Sequence, residues 1–187
     1  MTTLFLRTLT ALSFALICSG AHSAPIAQYS IVNTLSHDTS RYTQGLLWHN
    51  NLIIESAGGL GTSGLYVHTV PPSNAPTSNT PTSDQIVEHF NFSQQLRGGR
   101  HLFAEGATLI DNRLFVLTWK NQLIYQFALS PLRLTKAHRL YGEWWGLTHF
   151  KGELVASNGS NKLAFIDVSG EQPKVARYLG VTDGDKQ

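Results

Sequence analysis

Carboxylates and indoles are the side chains in this chain best suited to chemistry. Glu55 and Glu105 each stand in a glycine-bearing stretch of strand-like residues. A carboxyl group there can shuttle protons or hold a cationic amine, depending on whether its surroundings keep it neutral or ionised. Trp119 and Trp145 fall in stretches of the same kind. An indole face attracts a cationic amine and packs against methylenes. Gln44 heads its own stretch and offers an amide for hydrogen bonding. Other chemistries find little support. Cys18, the single cysteine, lies in an apolar leader, so the rest of the chain has no thiol nucleophile and no cysteine-based metal site. His37, His49, His68, His89, His101, His138 and His149 are scattered, without an H-E-x-x-H or i,i+4 pair, and zinc is not expected. Gly59 to Gly64 spells G-x-G-x-x-G, but a strand and then Pro71-Pro72 follow where a dinucleotide site needs a helix.

The elements that must position these groups recur. Tyr42-Thr-Gln-Gly45-Leu precedes Asn50-Asn51-Leu-Ile-Ile-Glu55. Phe103-Ala-Glu105-Gly106-Ala precedes Asp111-Asn112-Arg-Leu-Phe-Val-Leu-Thr-Trp119. Glu143-Trp-Trp145-Gly146-Leu precedes Lys151-Gly152-Glu-Leu-Val-Ala-Ser157. The shared glycines are 61 and 40 residues apart. The shorter step fits one propeller blade of ~40–45 residues. The longer one carries an excess that coincides with residues 69–85, rich in Pro, Ser and Thr, which should be a disordered surface insertion.

Each unit divides into four strand candidates separated by Asn, Asp, Gly or Lys turn residues. They are Gly45–His49, Leu52–Ser56, Gly64–Val70 and Ile86–Phe92; Ala107–Ile110, Arg113–Trp119, Gln122–Leu129 and Arg133–Tyr141; and Gly146–Phe150, Glu153–Ser157, Lys162–Val168 and Lys174–Val181. No sustained helical period is present. The expected fold is all-β: a propeller with about three blades, preceded by one strand, Tyr29–Leu35, in the place of an N-terminal closing strand. Closed propellers have ~4–8 blades, so the chain reads as C-terminally truncated.

Composition agrees with tight hairpins. Among 187 residues, 14% are charged, against a usual ~25%, and 16 are glycine. The formal charge of +2 offers little to a polyanion, so no nucleic-acid partner is expected. Arg7, the apolar run Leu9 to Ala21 and the small residues Ala21 and Ser23 read as a signal peptide over residues 1–23, leaving 24–187 as the propeller. A periplasmic or secreted protein is expected, with no membrane association after cleavage.

These motifs resemble the glutamine cyclotransferases, the glutaminyl-peptide cyclotransferases of plant and bacterial type. Tyr42-Thr-Gln-Gly-Leu46, Glu55 to Leu65, Phe103-Ala-Glu-Gly-Ala-Thr108, Leu117-Thr-Trp-Lys-Asn121, Glu143-Trp-Trp-Gly-Leu-Thr148 and Ala156-Ser-Asn-Gly-Ser160 are similar to family motifs and stand in the family's order. Leu60 and Trp144 depart from the family pattern, as does the insertion. The resemblance implies a five-bladed propeller, an acyltransferase that turns N-terminal glutamine of a peptide or protein into pyroglutamate, no metal or redox cofactor, and a monomer when the ring is complete. It implies Glu105 as the catalytic proton carrier, Trp119 and Trp145 as the cage for substrate, Glu55 as a partner of its α-ammonium, and Gln44 as a pocket hydrogen-bonding group. For Glu55, a buried carboxylate bracing the glycine loop is the other reading. Trp144 and Trp48, without family counterparts, are expected to be structural. The family's next motif would begin after Gln187. The alternative function is a non-catalytic secreted propeller that binds peptides or scaffolds partners.

Overall fold

A computed structural model of the protein describes residues 26–31, 34–70 and 86–182. They form three four-stranded antiparallel sheets of consecutive strands. Blade one contains β1 (Tyr42–His49), β2 (Leu52–Gly58), β3 (Gly64–Thr69) and β4 (Ile86–Asn91). Blade two contains β5 (Ala104–Ile110), β6 (Arg113–Thr118), β7 (Leu123–Leu129) and β8 (Leu132–Arg139). Blade three contains β9 (Leu147–Phe150), β10 (Glu153–Ala156), β11 (Lys162–Asp167) and β12 (Lys174–Gly180). All twelve expected strands are present. None of the three sheets closes on itself.

Two details depart from expectation. Tyr29–Ile31 and Thr34–Leu35 are not strand, although a closing strand was expected over Tyr29–Leu35. Each of the three sheets is made of four consecutive strands from β1 to β12, and this segment joins none of them. Phe92 leaves β4 and begins a single helical turn, α1 (Phe92–Gln95), because the Asn91 side chain accepts the Gln94 amide and caps it. The expected signal peptide over residues 1–23 lies outside the described residues, as do residues 71–85 of the expected insertion. Thr69 still belongs to β3, and the Val70 amide donates to the Asn51 carbonyl.

The hairpins turn alike in each blade. Asn50-Asn51, Asp111-Asn112 and Lys151-Gly152 all have positive φ at both central positions. Such turns match the right-handed twist of the strands they join, and Asn, Asp and Gly reach that conformation most readily. The second strands are buried almost throughout, and β6 of the middle blade is covered on both faces by its neighbours. On β6, Leu114 and Val116 face blade one, in a core with Ile54, Leu65, Phe90, Phe92 and Phe127. Phe115 and Leu117 face blade three, in a second core with Leu154, Ile166 and Trp144. The outermost strands, β4, β8 and β12, are largely exposed.

The innermost strands β1, β5 and β9 come together, and this explains the recurring glycine. A Cβ on Gly106 would lie 2.5 Å from the Leu147 amide nitrogen and 2.6 Å from the Trp145 carbonyl. The Gly106 amide donates to that carbonyl at 2.8 Å, so the backbones of blades two and three touch directly. On the other side, the Ser56 hydroxyl donates to the Glu105 carbonyl. Gly106→Ala is expected to destabilise by ~1–3 kcal/mol, because the clash is with backbone that side-chain repacking cannot relieve. An unaltered urea midpoint would show that this joint is looser than described.

Candidate functional site

At the head of each inner strand the backbone register is disturbed in the same way. On β1, Gln44 is an extra residue between the pairs Thr43↔Ala57 and Gly45↔Ser56. On β5, Glu105 and Gly106 lie between Ala104↔Thr118 and Ala107↔Val116. Ahead of β9, the Trp145 amide donates to the Ser157 carbonyl and the Gly146 carbonyl accepts from the Ser157 amide, two residues against one. Such a bulge re-aims a side chain out of the sheet. Here it sends Gln44, Glu105 and Trp145, each one residue before its repeat glycine, into one pocket.

That pocket, of about 330 Å³, is lined by Tyr42, Gln44, Phe103, Glu105, Trp119 and Trp145. It brings together four of the five residues singled out from sequence. The rings form a connected set. Tyr42 meets Phe103 edge-on at 6.2 Å between centroids, and Phe103 meets Trp119 edge-on at 5.8 Å. The Trp119 backbone amide donates to the Phe103 carbonyl at 3.0 Å, fixing the end of β6 against the start of β5. Lys120 lies over the Trp119 ring, its Nζ 4.1 Å from the centroid. Trp144 is in the core, with its indole N–H donating to the Tyr141 carbonyl, as a structural residue should be. Trp48 is 60% exposed on β1 and packs in neither core.

The Glu105 side chain reaches the pocket from a residue only 6% exposed. Burial, with the negative charge of Glu143 added to it, pushes its carboxyl up to about 7. At neutral pH both protonation states are therefore populated, which suits a group that must give and take a proton.

Glu55 is elsewhere. It lies on β2, 1% exposed, and does not line the pocket. Its Oε1 accepts the Thr43 hydroxyl at 2.6 Å and faces His37 Nε2 at 2.9 Å. Its Oε2 faces Arg41 Nε and His68 Nε2, each at 3.4 Å. Burial alone would push this carboxyl up. The hydrogen bonds from His68, Thr43 and His37 and the Arg41 charge outweigh it and hold it down to about 2. Two carboxylates in neighbouring blades are thus tuned in opposite directions. One is held ionised by its partners, the other is held near neutrality by burial. Among the described residues, the partners of Glu55 are Thr43, His37, Arg41 and His68 rather than residues of the glycine loop, and it does not line the pocket.

Sequence reasoning passed over Tyr42, Phe103 and Glu143. Glu143 precedes blade three, and its Oε1 accepts both indole N–H groups, from Trp119 at 2.6 Å and from Trp145 at 3.1 Å. A signal was available. All three residues stand three positions before the repeat glycines 45, 106 and 146. Among the described residues, no group of three or more His, Cys, Asp or Glu is arranged to hold a metal ion.

Comparison with known proteins adds to this geometry. The sequence profile described as glutamine cyclotransferase matches residues 4–187. The crystal structure of Myxococcus xanthus glutaminyl cyclase is similar to this chain with a TM-score of 0.63 at 26% identity, covering 79% of this chain and 54% of that one. A Bacteroides caccae protein of unknown function has a similar fold, with a TM-score of 0.53 at 9% identity, covering 81% of this chain and 52% of its own. This chain thus spans about half the length of either structure. No curated protein gives a significant match.

Proposed function

Because the chain belongs to the glutamine cyclotransferase family, we propose that the pocket around Glu105 cyclises the N-terminal glutamine of a peptide or protein, releasing ammonia. The observation that carries this reading is a carboxyl group near neutrality, enclosed by aromatic rings at the meeting point of three blades.

Substrate chemistry sets the requirements. The α-amine is the nucleophile and the side-chain amide carbon, four bonds away, is the electrophile, so their union closes a five-membered ring. Both lie on one residue, so the protein must hold a folded conformer and move a proton. The rings of Trp119, Trp145, Phe103 and Tyr42 pack against the glutamine methylenes and exclude water. Gln44 supplies a hydrogen bond to the reacting amide. The amine nitrogen bonds to the amide carbon, giving a tetrahedral intermediate. Neutral Glu105 then donates its proton to the leaving nitrogen, the carbon–nitrogen bond breaks, and ammonia departs. The resulting carboxylate takes the surplus proton from the ring nitrogen, which restores Glu105. Export to the periplasm or beyond belongs to the same proposal and is supported by the leader pattern of residues 1–23.

Turnover needs a protonated Glu105 and a neutral substrate amine. The rate of ammonia release from a Gln-initiated peptide is therefore expected to be bell-shaped in pH. One limb follows the Glu105 carboxyl at about 7 and the other the peptide α-amine at ~8. A purified chain that binds Gln-initiated peptides but releases no ammonia at any pH would overturn the proposal.

A further inference from the structure

We infer that Glu143 is a positioning residue of this site, a single carboxylate that ties the Trp119 and Trp145 indoles together across the joint between blades two and three. Trp119 follows β6 and Trp145 precedes β9, so the two rings ride on different blades. Both indole N–H groups converge on one oxygen, Glu143 Oε1, at 2.6 and 3.1 Å. Indole N–H is a donor with no acceptor capacity, so two indoles cannot bond to each other. An ionised carboxylate between them satisfies both with charge-assisted bonds. The backbone supports the arrangement. Gly142 has a φ of 118° and turns the chain directly before Glu143, and Trp145 is held by its amide to Ser157 and its carbonyl to Gly106.

The same carboxylate has a second consequence. Glu143 is the charged group that acts on Glu105, and its charge opposes loss of the Glu105 proton. Other charged groups on the elements around Glu105 are engaged elsewhere. Lys120 lies over the Trp119 ring, His149 faces the Thr108 hydroxyl at 3.1 Å, and Arg41 and His37 are held at Glu55. One side chain thus sets both the spacing of the cage and the readiness of the acid. The inference rests on the proposed function for what the site acts on, but its test does not depend on turnover.

The test compares Glu143→Ala and Glu143→Gln in the full chain. Nitrogen–proton NMR follows the four indoles, and carbon-labelled glutamate follows the Glu105 carboxyl through a pH titration. In Glu143→Ala, the Trp119 and Trp145 indole signals are expected to move upfield together while those of Trp48 and Trp144 stay in place. Glu143→Gln keeps an acceptor oxygen but loses the charge. Its Glu105 titration midpoint is expected to fall below the value of the unsubstituted protein yet stay above the ordinary carboxylate range, because burial persists. KM for a Gln-initiated peptide is expected to rise about tenfold in Glu143→Ala and less in Glu143→Gln. Unmoved indole signals in a folded Glu143→Ala protein would overturn the inference. Should that variant not fold, an unmoved Glu105 midpoint in Glu143→Gln would overturn it equally. Absence of ammonia release from the unsubstituted chain would count against the proposed function alone.

Discussion

Glu105→Gln is expected to lower kcat for ammonia release by ~10²–10⁴, the usual contribution of a positioned acid–base group, with KM little changed. Gln has nearly the same size and keeps the hydrogen-bonding shape, but carries no proton to give. The same substitution should make the protein more stable at neutral and higher pH. The Glu105 carboxyl has a folded value of about 7 against 4.5 for the free group. Below 4.5 it is protonated whether folded or unfolded and costs nothing. Between 4.5 and 7 the unfolded chain loses the proton first, so stability falls as pH rises. Above 7 the full penalty, about 3 kcal/mol, is in place. Glu105→Gln removes it. Loss of turnover with a raised urea midpoint at pH 8 is the joint signature. Equal turnover in the two proteins would remove Glu105 from the mechanism.

Glu55 carries the opposite sign and the second large effect. Its carboxyl is held at about 2 against 4.5 in the free group. The stability it contributes is present above 4.5 and is lost as pH falls from 4.5 towards 2. The shift corresponds to about 3 kcal/mol. Glu55→Gln is expected to cost ~3–5 kcal/mol at pH 7, because it removes the charged member of a buried pair with Arg41. The dependence of stability on pH in that acid window should flatten. Urea unfolding at pH 3, 5 and 7 measures both effects. KM of whatever fraction folds should be unchanged. A raised KM at undiminished stability would return Glu55 to the role of ammonium partner.

The blades were legible because strand chemistry is local. Turn pairs such as Asn50-Asn51 and Asp111-Asn112 announce a hairpin by residue type alone, and the twelve strands follow from what lies between them. The pocket was mostly legible for a different reason. Four of its residues lie beside repeat glycines or in motifs shared with the glutamine cyclotransferases. What sequence did not reveal depends on contacts between residues far apart in the chain. Glu55 and Glu105 look alike as glutamates in glycine-bearing strand stretches, and only His37, Arg41, Thr43 and His68 converging on Glu55 separate their surroundings. Glu143 looked like the start of a tryptophan motif until both indoles were seen to share its oxygen. Strand character at Tyr29–Ile31 and Thr34–Leu35 did not become strand, because residue type alone does not supply a partner to pair with.

The positions one and three residues before each glycine have a bearing on descent. Copying a unit of this kind copies two ready-aimed places at the axis, along with the bulge and the close glycine contact that aim them. Copies can then part ways by exchange at those places alone. One now holds a tyrosine and an amide, one a phenylalanine and an acid, and one a carboxylate and an indole. A division of labour among siblings arises in this way without inventing new backbone. The chemistry of this scaffold is inherited as a set of sockets and rewritten one residue at a time.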